Sequence, residues 1–203
     1  MPEITKDIKS LKFEEAERKW ADMNRKIAML TFPLASIFIL NAELFITTLF
    51  GETYIQAAPI FSVFCCLVFV RVMSFGLVLR SINRTSLELY SVLIFLVISS
   101  IGVWMVIPSY GGFGAAIWVV GSTITLALIL SLMTFIATEG RLLILKVYPV
   151  GILATTVVTS FICFLARLEF PTDASYTYGV FDSIVFFLVW AVIFRIGKHE
   201  KKS

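Results

Sequence analysis

The sequence predicts an all-α, polytopic membrane protein with six transmembrane helices. Three observations carry this. Hydrophobic residues make up 59% of the 203-residue chain and charged residues only 15%, far from the composition of a soluble domain. Six mostly apolar runs follow one another, at 27–50, 57–79, 87–107, 115–137, 147–166 and 177–196. At ~1.5 Å per residue, each reaches across a hydrocarbon core of ~30 Å. Once the chain is threaded through these six runs, fifteen of its seventeen Lys and Arg residues fall on one side.

The segment 1–26 precedes the first run and is charged throughout. It has no short apolar core before a small-residue cleavage site, so no signal peptide is expected there. It reads as a helix at the membrane surface. Glu14 and Arg18, Glu15 and Lys19, and Asp22 and Lys26 are acid-before-base pairs four apart, the stabilising order. Ile4, Ile8 and Leu11 share one face, and Trp20 and Met23 add a second apolar patch. Two readings stay open: a solvated lead-in, or an interfacial helix on the inner leaflet.

The six runs form the transmembrane domain, 27–196, and 197–203 is a basic tail. Within the first run Pro33 removes one helical hydrogen bond and is expected to kink the helix. Gly51 ends that run, and Pro59 opens the second at a tolerated position. Pro108 is expected to end the third, with Gly111, Gly112 and Gly114 forming a flexible turn. Pro149 opens the fifth and Pro171 breaks the last outer loop. Hydroxyl and small residues recur four apart in the fourth and fifth runs: Gly121 and Thr125, Thr155 and Thr159, Thr156 and Ser160. Close packing with hydroxyl-to-backbone bonds explains that spacing; a polar cavity lining is the other reading.

Seven basic residues lie before the first run: Lys6, Lys9, Lys12, Arg18, Lys19, Arg25 and Lys26. Arg80 and Arg84 mark the second turn, Arg141 and Lys146 the fourth, and Arg195, Lys198, Lys201 and Lys202 close the chain. The odd turns hold Glu52, Glu169 and Asp173, with Arg167 their one basic neighbour. The positive-inside rule then places both termini in the cytoplasm of a cell (inner) membrane protein. The net charge of +3 is no nucleic-acid signal, because the basic residues flank apolar spans. Cys65, Cys66 and Cys163 all fall inside spans and read as small apolar fillers. Metal-ligand spacing is absent, and no cofactor is expected.

Ionisable and polar residues inside spans are the candidate site. Arg71 stands about fourteen residues, or ~21 Å, from the outer start of its span. A charge there costs about 2.5–3.5 kcal/mol on insertion scales. It either snorkels to the inner headgroups or faces a polar cavity, with Ser74 on the same face. Glu43 lies in the outer third of the first span beside Asn41, and a carboxylate snorkels less far than Arg. Asp182 sits nearer the wet outer edge of the sixth. Paired carboxylates or a metal cluster of the kind a membrane enzyme needs do not occur at the turns, so the reading is not an enzyme.

Two turns carry a family resemblance. Leu49-Phe50-Gly51-Glu52-Thr53-Tyr54, followed by Ala57-Ala58-Pro59, resembles the "LFG–x–x–Y–x–x–A" turn of polysaccharide flippases in the multidrug/oligosaccharidyl-lipid/polysaccharide exporter superfamily. Ile107-Pro108-Ser109-Tyr110-Gly111-Gly112-Phe113-Gly114-Ala115-Ala116 is similar to its "IPxYGxxGAA" turn, and Met1-Pro2-Glu3-Ile4 to a "FPEIS" helix end. The resemblance covers about residues 1–137, and the rest by hydropathy. It implies a MATE-like two-lobe transporter, of which these would be the last six helices. The earlier helices would belong to a missing N-terminal part or a partner chain. It implies export of a lipid-linked oligosaccharide from membrane lipid, for polysaccharide biosynthesis, with Arg71 near the anionic headgroup. The alternatives are a drug or small-molecule exporter of the same superfamily, and a truncated, non-transporting remnant.

Overall fold

The computed structural model describes residues 13–73, 76–140, 144–169, 183–192 and 195. The described residues are helical, with no strand among them. Three helices are long and apolar enough to cross a membrane: Glu14–Leu40, Glu52–Arg71 and Thr85–Ala137. Two shorter apolar helices follow, Val150–Leu165 and Ser183–Val192. The all-α membrane-like class is therefore present. Six separate spans are not shown: among the described residues three helices reach spanning length, while Val150–Leu165 and Ser183–Val192 are shorter.

The elements are α1 (Phe13–Leu40), α2 (Ala42–Phe50), a 3-10 turn (Glu52–Ala57), α3 (Ala58–Cys65) and α4 (Leu67–Arg71). Then come α5 (Leu77–Ser81), α6 (Thr85–Ala137), α7 (Ile144–Val147) and α8 (Val150–Glu169), and α9 (Ser183–Val192). The chain divides into two compact units, one of Met1–Ile27 with Val70–Pro149, the other of Ala28–Phe69 with Val150–Ser203.

The charged lead-in and the first span are one helix. Glu14 and Glu15 open α1, where the helix dipole favours negative charge. Part of its apolar side packs against the rest of the first unit. Ala16 and Trp20 are buried with Met73, Val78 and Val147, and Met23, Leu77 and Tyr148 pack around them. Ile4, Ile8 and Leu11 lie outside the described residues. Pro33 is accommodated inside α1, and the interruption falls at Asn41 instead, where φ is −112° and ψ 27°. The Asn41 side-chain amide donates to the Ile37 carbonyl at 3.1 Å, and the backbone bonds from Asn41 to Ile37 and from Phe45 to Asn41 persist. Asn thus competes for the helix's own acceptor without dissolving the ladder.

Gly51 takes φ 90°, the region that suits glycine, and ends α2 as expected. Pro59 sits in the first turn of α3, where its missing N–H leaves no bond unmade. The expected stop at Pro108 is corrected: α6 continues through it and reverses at Gly111, with φ 59° and ψ −150°. A proline forfeits one hydrogen bond, whereas reversal demands a backbone conformation that only glycine takes readily.

That reversal makes α6 an antiparallel hairpin within the first unit. The Trp118 indole N–H donates to the Ser99 carbonyl at 3.1 Å. A methyl group at Gly102 would lie 1.9 Å from the Trp118 ring, and one at Gly114 would lie 2.9 Å from Val106 and 2.3 Å from Tyr110. Glycine at 102 lets the opposing indole approach the backbone closely, the way membrane helices gain van der Waals contact without a hydrophobic drive between them.

In the second unit, Phe45 and Phe61 stack at 5.3 Å and Phe38 tilts against Phe45 at 4.9 Å. Phe32 meets Phe69 edge-on at 5.0 Å. The Trp190 indole N–H on α9 donates to the Thr156 hydroxyl on α8 at 3.2 Å. The hydroxyl repeats of α8 bond to their own helix. Thr155, Thr156, Thr159 and Ser160 each donate to the carbonyl four residues back at 2.8 Å.

Candidate functional site

The second unit carries a groove of about 450 Å³ beside the α1–α2 break. Ile37, Phe38, Leu44, Phe45 and Leu49 form one wall, and Ile184 and Phe187 of α9 the other. Three polar side chains reach it: Asn41, Thr48 and Ser183. The Thr48 hydroxyl is bonded to the Leu44 carbonyl at 2.6 Å, and Asn41 spends one amide hydrogen on Ile37. The break at Asn41 turns an amide toward an otherwise apolar trough. Such a trough accepts a long hydrocarbon chain and offers neutral hydrogen-bonding groups beside it.

Of the sequence candidates, Asn41 lines this groove and is half-buried. Glu43, two positions on, turns away from it and is exposed; its carbonyl accepts the Thr47 hydroxyl at 2.9 Å. Arg71 ends α4 with its side chain exposed. It belongs to the first unit, while Asn41 and Glu43 belong to the second. Ser74 and Asp182 lie outside the described residues. No His/Cys/Asp/Glu cluster suited to a metal occurs among the described residues.

Sequence reasoning missed Phe38, Phe45, Ile184 and Phe187. Nothing marks them, because a span that is apolar on every face has no periodicity to show which face lines a groove. Another missed pair is Arg80 and Glu88 at the second turn. The Arg80 Nε donates to Glu88 Oε2 at 2.8 Å, and the two side chains form an ion pair. The Glu88 carboxylate, through the hydrogen bond first and its charge second, holds the Arg80 pKa above its ordinary value. Glu88 thereby enters the start of α6 paired with a cation, which lowers the burden of a carboxylate at the edge of an apolar span.

No family model matches the chain, and neither a curated protein nor a solved structure shows significant similarity to it.

Proposed function

We propose that the chain is the C-terminal part of a membrane flippase that exports lipid-linked oligosaccharide across the inner membrane. In this reading it crosses the bilayer six times with both termini in the cytoplasm. The observation that carries the proposal is the groove at Asn41. A lipid carrier combines a long hydrocarbon tail with a polar head. An apolar trough interrupted by an amide and two hydroxyls suits the tail and the start of the head. The two turns that carry the family resemblance support it. Gly51 and Gly111 both take the positive φ that sharp reversals between membrane helices require. Trp104 and Tyr110, near the Gly111 reversal, are 82% and 73% exposed, as amphipathic aromatics are at a membrane–water boundary.

The groove is tested with a photoreactive polyprenyl phosphate in proteoliposomes. Labelling is expected to concentrate on 37–49 and 183–187, and a bulky Ile184→Trp change is expected to reduce it several-fold. Labels spread evenly over the lipid-facing surface of α6 would remove the groove from the mechanism. Orientation has its own check. A single cysteine at Ser109 is expected to react with an impermeant outside reagent, and one at Ser203 to be shielded. The reverse pattern would invert the topology.

A further inference from the structure

We propose that the segment 16–24 of α1 is a releasable strap, docked on α5 and the end of α7, whose closure is held near balance by buried polar groups. Trp20 and Asn24 stand one helical turn apart on the same face, and both are wholly buried. Trp20 packs in the first unit's core with Ala16, Met73, Val78 and Val147. Yet its indole N–H and both polar atoms of the Asn24 carboxamide have no hydrogen-bond partner among the described residues.

The two halves of this observation oppose each other. Burying an indole ring drives docking. Stripping water from an N–H and a carboxamide without replacing the lost bonds resists it. On release both groups regain water, and the far face is already suited to it. Arg18, Asp22, Arg25 and Lys26 are exposed in the docked state and stay hydrated in either. A helix meant to stay docked gains from Leu at position 24, which fills similar volume with no polar group to strand. Asn there sets the closed state only modestly below the open one. What the strap covers is α5, which carries Arg80 in its last turn and leads into the turn bearing Arg84. Release therefore frees the inner ends of the helices around that turn. The docking equilibrium stands apart from the proposed export activity and is read without it.

Hydrogen exchange of the full chain in lipid nanodiscs reads the equilibrium directly. In the unaltered protein, amides of 16–24 are expected to exchange faster than those in the α6 arms. Asn24→Leu is expected to slow them about tenfold, the change expected from removing one stranded buried amide. Trp20→Ala is expected to speed them at least as much. Exchange in 112–137 serves as the folding control and should not move. Equal protection of 16–24 and α6 in the unaltered protein would overturn the proposal. So would exchange in Asn24→Leu that is unchanged or faster, which would mean that the amide is satisfied where it lies.

Discussion

Gly102→Ala is expected to destabilise the first unit by about 1–3 kcal/mol, the usual range for overpacking. The added methyl group would sit 1.9 Å from the Trp118 ring, so the indole must leave the backbone and give up its bond to Ser99. Trp118→Ala is expected to cost about 2–4 kcal/mol. That is somewhat below the range for a fully buried Trp, because Trp118 is half-buried. The decisive outcome is the sign change. In a Trp118→Ala background, Gly102→Ala should be neutral or stabilising by up to about 1 kcal/mol, since alanine is the better helix former and the clash is gone. Unfolding in mixed micelles, followed for all four members of the cycle, provides the test. Additive losses would show that Gly102 and Trp118 do not meet across the hairpin.

On the proposed flippase reading, Arg71→Leu is expected to lower export of lipid-linked glycan about tenfold or more, with membrane levels unchanged. Arg71 ends α4 with its side chain exposed, where an anionic headgroup can reach it. A hydrogen bond to a charged group contributes ~1.5–3 kcal/mol, a factor of about ten to over a hundred. Arg71→Lys keeps the charge and loses the planar fork that grips phosphate through two nitrogens, so its loss should be smaller. Export assayed as surface glycan, normalised to protein in the membrane, separates the cases. Normal export by the leucine variant would reduce Arg71 to an anchor reaching for the inner headgroups.

The two residues differ in how they could be found. Arg71 stood out in the sequence because a cation in an apolar run is costly wherever the chain folds. Asn41 stands in the sequence as a polar neighbour of Glu43, yet the structure separates them: Asn41 lines the groove and Glu43 is not among its lining residues. A helix turns about 100° per residue, so residues two apart face different ways. Which way mattered was decided by where α9 lies.

The helical class, the long apolar helices and the glycine reversals followed from the sequence alone, because they rest on local rules. Backbone groups in hydrocarbon must be satisfied within the helix, and Gly51 and Gly111 supply conformations that other residues resist. Packing obeyed no such local rule. That α1 docks through Trp20 and Asn24, that Gly102 receives Trp118, and that Phe38 and Phe187 share a groove were decided by the tertiary structure. In a span that is apolar all round, every face is equally fit for lipid or for protein. Only shape complementarity between helices chooses among them.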